Sequence, residues 1–474
     1  MLPQIRQEEG LYPVPQYSVE KIDIEGFTDD LKGFHGAFAD CFARSGPREN
    51  FGRYMTGLFA QPERKSIEPI AFHMEGGKPG CLQHTISDAL WDEEKMSGKY
   101  HELVNEDMGE PDGVVIFDES GFPRKGEDSA GVSGQYCGSL GKVENCQVGV
   151  FAAYASSKGY AFLDKRLFVP EAWSDEEHEK KREKTKFPDD LAFRTKPQLA
   201  AEMFEGIMKE GIVPVRFVMT DPIYGESGDF LSTVERYVGI TYFVQITSDT
   251  LCRLRQPGTE TETYRYGKEN RSKQVVSEGE KSPVRVNESA RRIRNVFRYR
   301  RTVSEGSKGP IGYEFTERQV ILSKSGLPGR TVWLVMKRTP DKKQYRYHIS
   351  NAPLSTGLPT FVWLSGIRWA VGQCFGETKT ELGSDHYEVR KYPGWNHHIL
   401  TCMPAHFFLW HLRIRLGKKA PFITLSQLRI LLRVILPLRS YDAEAIILFV
   451  REIQIRNHRA YLSHRKKKSG IDSG

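Results

Sequence analysis

This 474-residue chain lacks the marks of several protein classes. Its first residues, MLPQIRQEEGLYPVPQ, show no basic stretch followed by an apolar run, so no secretory signal is expected. Long hydrophobic runs are missing too. The most apolar stretch, Leu425 to Val450, is interrupted by Arg429, Arg433, Pro437, Arg439, Asp442 and Glu444, more charge than a bilayer core accepts. Cysteine is scarce: Cys41, Cys81, Cys137, Cys146, Cys252, Cys374 and Cys402 are scattered, odd in number and never paired as C-x-x-C, which argues against disulfides and zinc. There is no internal repeat and no low-complexity tract. The expectation is a cytoplasmic protein, away from the membrane, with reduced thiols.

What is present is ordinary in bulk and uneven in detail. An apolar fraction of 39% and a charged fraction of 27% suit a folded chain, and the length allows two or three cores. The net charge of +7 is concentrated. SARRIRNVFRYRR (Ser289 to Arg301) and RNHRAYLSHRKKK (Arg456 to Lys468) interleave cations with aromatic and polar side chains, the residue types that hold phosphates and stack on bases. Arg291, Arg292, Arg294, Arg298, Arg300 and Arg301 are therefore candidate contacts to a polyanion.

Texture divides the chain. Residues 1–108 carry short helical patterns and are expected to be a helical, DNA-binding region; LQHTISDALWDEEKM within it either presents Gln83, His84 and Ser87 to a partner or is a capped helix start. From Gly113, GVVIFDESGF, NCQVGVFAAYAS and GYAFLDKRLFV read as consecutive antiparallel strands, the last two joined by SSKG. KPQLAAEMFEGIMKEG is a helix closed by Gly211, and VPVRFVMTDPIYG and GITYFVQI are a fourth and a fifth strand. Residues 109–250 thus form the first part of a mixed α/β core. Residues 251–355 read as a β-rich insertion, with Glu260 to Pro283 polar enough to be partly disordered. Residues 356–400 return to the core through a helix near Leu364 and a polar loop, and 401–474 are helical with a basic tail.

Two acids stand at strand ends, Asp118 in VVIFDES and Asp221 in RFVMTDPIYG. Either alone could merely begin a turn. Three antiparallel strands, a helix and a strand ending in the second acid make a ribonuclease-H-like order, in which the two would meet. Adjacent carboxylates need a cation, and hard oxygen donors favour Mg²⁺ or Mn²⁺. A pair of such ions can activate a nucleophile and stabilise the leaving oxygen of a phosphodiester.

IFDESGFPRKGEDSAGVSGQYCGSLGKVENCQVGVFAAYAS, YAFLDKRLFVPEAW, TKPQLA, TDPIYG, CFGETKTELGSDHYEVRKYPGWNHHIL and RNHRAYLSHRK resemble bacterial insertion-sequence transposases of the DDE type, in the IS-four-like group and its IS-seven-oh-one branch. The resemblance implies a ribonuclease-H-like core with a β-rich insertion and helical flanks. It implies two bound Mg²⁺ or Mn²⁺ ions, and cutting and joining of double-stranded DNA at terminal inverted repeats and target DNA. It also implies a homodimer in a synaptic complex, at the bacterial nucleoid. Asp118 and Asp221 match the first two acids. The third lies on a helix patterned as tyrosine, arginine three residues on, glutamate four beyond and lysine seven further. Arg368 and Lys379 match as phosphate contacts, but Ser365 replaces the tyrosine and Gly372 the glutamate. Glu377 is the remaining candidate, although five residues beyond Gly372 places it roughly 140° around a helix. Gly134 stands where an arginine is expected, and Trp333 is a candidate to stack on a flipped base. His386, His397 and His398 are read as DNA contacts or satisfied side chains, not metal ligands. Two functions follow: an active transposase, or a copy impaired at Gly372 that binds DNA without cutting.

Overall fold

The computed structural model describes residues 17–60, 62, 64–188, 192–266, 269–294, 298–306 and 309–468. The opening residues and the closing SGIDSG lie outside them. Five helices come first: α1 (Lys21–Ala37), α2 (Ser45–Phe59), α3 (Ile67–His73), α4 (Pro79–Ser87) and α5 (Glu93–Met108). The sheet begins with β1 (Val114–Pro123), β2 (Ser133–Cys137), β3 (Lys142–Ala155) and β4 (Tyr160–Phe168). Helices α6 (Glu179–Lys184) and α7 (Lys196–Glu210) lead to β5 (Phe217–Thr220), α8 (Pro222–Gly225), α9 (Gly228–Glu235) and β6 (Thr241–Ile246).

Val114 to Phe117 are all fully buried, as expected of a strand covered on both faces. Phe117 meets Phe204 of α7 and Phe230 of α9. Strand β1 runs antiparallel to β3 and parallel to β5, which is parallel to β6; β4 is antiparallel to β3. The three consecutive antiparallel strands of the sequence reading are these. The short β2, polar and largely exposed, also pairs with β3 and was not anticipated.

The segment 251–355 continues the same sheet. It contains β7 (Leu251–Arg253), β8 (Thr259–Tyr266), β9 (Glu269–Val276), β10 (Val284–Arg285), α10 (Val286–Arg291), β11 (Tyr299–Gly306), β12 (Gly309–Lys324), β13 (Leu327–Arg338) and β14 (Tyr345–Ser350). The twelve-stranded sheet runs β10-β7-β12-β13-β14-β6-β5-β1-β3-β2, with β4 also on β3 and β11 on β12. Among the described residues β8 and β9 pair only with each other, so much of the stretch expected to be partly disordered is an antiparallel strand pair.

The chain ends with α11 (Leu358–Ile367), α12 (Trp369–Leu382), α13 (Tyr392–Leu416), α14 (Leu425–Leu432) and α15 (Ala443–Lys468). The polar loop after α12 is short, because α13 begins at Tyr392 with Pro393 in its first turn. Among the described residues a large hydrophobic cluster runs from Phe27 to Leu436, beside a small one of Cys137, Cys146 and Val148. Helix α13 joins the large one: Phe407 and Phe408 reach Phe34 of α1, while Trp395 reaches Phe151 of β3. No helix among the described residues is long and apolar enough to cross a membrane.

Candidate active site

The strand register brings the two predicted acids together. Phe117 of β1 lies opposite Thr220, the last residue of β5, so Asp118 and Asp221 are the next positions on neighbouring parallel strands. The strands then part. Asp118 stays in β1, paired with Phe151 of β3. Asp221 leaves the sheet because Pro222 starts α8, and its carboxylate caps that turn by accepting from the Ile223 N–H at 3.0 Å.

Alternation along β1 sends successive side chains to opposite faces. Asp118 Oδ2 lies 3.6 Å from an Arg368 nitrogen at the start of α12, and Oδ1 accepts from the Glu119 N–H at 2.9 Å. Glu119 reaches the other face, where Oε1 accepts from Lys196 Nζ at 2.8 Å and Oε2 from the Tyr224 hydroxyl at 2.7 Å. β1 outruns β5 at this point, so neither side chain is walled off from Asp221. One carboxylate oxygen from each of Asp118, Glu119 and Asp221 lies within 4.8 Å of the others.

The crowding shows in the acidities. Burial raises the pKa of Asp118, with Arg368 opposing it. Burial also pushes Asp221 up, to about 6, and the charges of Asp118 and Glu119 add to the effect. A set of half-buried carboxylate oxygens this close suits a hard divalent cation such as Mg²⁺ or Mn²⁺.

Glu377 belongs to a different cluster. Oε1 accepts from the Tyr160 hydroxyl at 2.9 Å and Oε2 is 2.8 Å from Nε2 of the fully buried His406. It is not among the grouped acids near Asp118. Its place follows from helical geometry. Arg368, Gly372, Phe375 and Lys379 are spaced i, i+4, i+7 and i+11 along one stripe, from which Arg368 and Lys379 reach β1, and Glu377 lies off that stripe. Lys379 Nζ donates to Ser120 Oγ at 2.7 Å and to the Gly121 carbonyl at 3.2 Å, anchoring α12 along β1. A Cβ at Gly372, between these two anchors, would meet nothing within 4 Å.

The other predicted residues lie elsewhere in the fold. Arg291, Arg292 and Arg294 are exposed at and just after the end of α10, and Arg300 and Arg301 are exposed on β11. No ion pair joins these five to a carboxylate among the described residues. Arg298 is partly buried and donates to the Ala290 carbonyl at 2.8 Å. Trp333 on β13 is half-buried; its indole N–H donates to the Pro353 carbonyl at 3.3 Å and its ring packs beside Phe361. His397 and His398 are buried on α13, bonded to the carbonyls of Ile86 and Ser384. His386 accepts from the Lys65 N–H. These three are satisfied side chains. Gln83 bonds Ser87 within α4.

Sequence reasoning passed over Glu119, Lys196 and Tyr224. The acid next to Asp118 was visible in DES, but strict alternation would place it away from the site. Lys196 in TKPQLA becomes the first residue of α7 because Thr195 caps that helix with Gln198.

A family model described as DDE superfamily endonuclease matches residues 37–310, a span that includes Asp118 and Asp221 and stops before α11. The chain is 26% identical over 346 residues to a probable transposase for insertion sequence element IS701 of Microchaete diplosiphon, covering 73% of this chain and 78% of that protein. A piggyBac transposase solved as a synaptic complex with hairpin DNA aligns over 90% of this chain and 73% of its own, at 10% identity and a TM-score of 0.38.

Proposed function

The chain belongs to the DDE superfamily endonucleases, and from that premise we propose that it is an insertion-sequence DNA transposase that cleaves transposon ends and transfers the freed strand. One observation carries the reading: the β1–β5 register sets Asp118 beside Asp221 where two neighbouring interior strands part. The order β4-β3-β1-β5-β6 supports a ribonuclease-H-like core, in which 109–250 and 356–400 form the core and 251–355 the insertion.

When bound, Mg²⁺ or Mn²⁺ supplies the activation of water or of a 3′-hydroxyl and the stabilisation of the leaving oxygen. The chain's own part is to hold it and the substrate. Asp118 and Asp221 offer the oxygens. Arg368 offsets charge at Asp118, and its guanidinium is the phosphate contact of the site. The exposed arginines from Arg291 to Arg301 bind the backbone of double-stranded DNA, both inverted repeats and target. A dimer would pair two ends in the bacterial cytoplasm. The comparisons lend no support to a remnant that only binds DNA, so Gly372 is the point to test.

The test is an end-cleavage assay on the element's own termini with Mn²⁺. The native chain is expected to cut, and Asp118→Ala to lower the rate at least a hundredfold. If the native chain binds without cutting and Gly372→Glu restores cutting, the DNA-binding remnant is the correct description. Cutting by neither overturns the endonuclease reading.

A further inference from the structure

We propose that Glu119 supplies the third carboxylate of the metal site, in the role that α12 leaves without a side chain at Gly372. The inference rests on the reading of Asp118 and Asp221 as metal ligands. The two alternatives on α12 are unsuited. Gly372 has no side chain, and Glu377 is held by Tyr160 and His406.

Glu119 has the position. Its carboxylate lies within 4.8 Å of oxygens from both aspartates, close to the ~4.2 Å between opposed oxygens around a cation with ~2.1 Å bonds. It also has the capacity. Each of its oxygens accepts one hydrogen bond, whereas an ionised carboxylate offers about four lone-pair sites. Lys196 and Tyr224 therefore fix the group while leaving room for a ligand bond. Lys196 is otherwise poorly placed, a cation on the first residue of α7 where the helix dipole favours anions; its pairing with Glu119 accounts for it. The charge balance points the same way. Three carboxylates face two cations, Arg368 and Lys196, which leaves one negative charge for a bound ion to meet.

Mn²⁺ binding to the full-length protein, read by electron paramagnetic resonance titration, tests this without catalysis. The native chain, Glu119→Gln, Asp118→Asn and the double variant Glu119→Gln/Gly372→Glu are compared. The expected result is a tenfold or greater loss of affinity in Glu119→Gln and in Asp118→Asn, with recovery to within threefold of native in the double variant. Binding by Glu119→Gln within twofold of native, alongside a loss in Asp118→Asn, overturns the role of Glu119 and leaves the aspartate pair standing. Absence of Mn²⁺ binding by the native chain overturns both. Should Glu119→Gln fail to fold with Lys196 unpaired, Glu119→Gln/Lys196→Met is titrated in its place, against Lys196→Met alone and by the same criteria.

Discussion

Asp221 caps α8, which favours its ionised form, and faces two other carboxylates, which disfavour it. Its pKa, raised from 3.8 to about 6 by burial and by Asp118 and Glu119 against the single opposing charge of Arg368, has a direct consequence for the cation-free protein. Between about pH 4 and pH 6 the folded chain keeps a proton that the unfolded chain has released, so stability present below pH 4 is lost as pH rises through 6. Urea unfolding in chelator, native minus Asp221→Asn, is expected to show that falling contribution; a rising one would mean the carboxylates are not crowded. Glu377 makes the contrasting case. Its two partners are buried on β4 and α13, so Glu377→Ala should cost about 1–3 kcal/mol of unfolding free energy by leaving donors unsatisfied. It should leave Mn²⁺ affinity within twofold of native. A loss of Mn²⁺ binding without a loss of stability would restore Glu377 as the third acid. The two aspartates were legible in the sequence because each follows a run of buried apolar residues; Glu119 was not, because its nearness depends on where β5 stops.

At the scale of elements, the helix α11 to α12 shows which glycines the fold requires. Gly366 lies where β11 passes under α11, and a Cβ there would come within 2.5 Å of the Val303 carbonyl oxygen. Gly372 and Gly376 on α12 have nothing within 4 Å of a Cβ. Gly366→Ala is therefore expected to destabilise by about 1–3 kcal/mol through overpacking, while Gly372→Ala and Gly376→Ala should each stabilise by up to about 1 kcal/mol from helix propensity alone. Denaturant midpoints for the three variants decide it, and a stabilising Gly366→Ala would contradict the close packing of α11 on β11. The helical register of Arg368, Gly372 and Lys379 came from the family resemblance. The break between α11 and α12 was not legible in the sequence, because Leu358 to Ile367 is apolar around most of its circumference and carries no amphipathic phase to interrupt.

For the whole molecule, strand identity was easier to read than strand partnership. Runs such as VVIF and TYFVQI announce buried strands, but nothing local says that β6 pairs with β14 about a hundred residues later, since that choice is made by packing. Segment 251–355, legible as β-rich, is thereby bound into the architecture. It contributes β14 to the edge of β6, stacks His348 on Phe243 at 4.6 Å between ring centres, and places Trp333 against Phe361 of α11. Cutting residues 251–355 out and joining the ends with a flexible linker would expose β6 as an unpaired, largely apolar edge and uncover Phe243, an invitation to intermolecular pairing. The expected product is insoluble or lacks cooperative urea unfolding, although β1 to β6 and all the grouped acids remain in the chain. A soluble product that unfolds in one sharp transition and binds Mn²⁺ as the full chain does would show instead that the insertion is a separable domain and that β1 to β6 stand alone around the site.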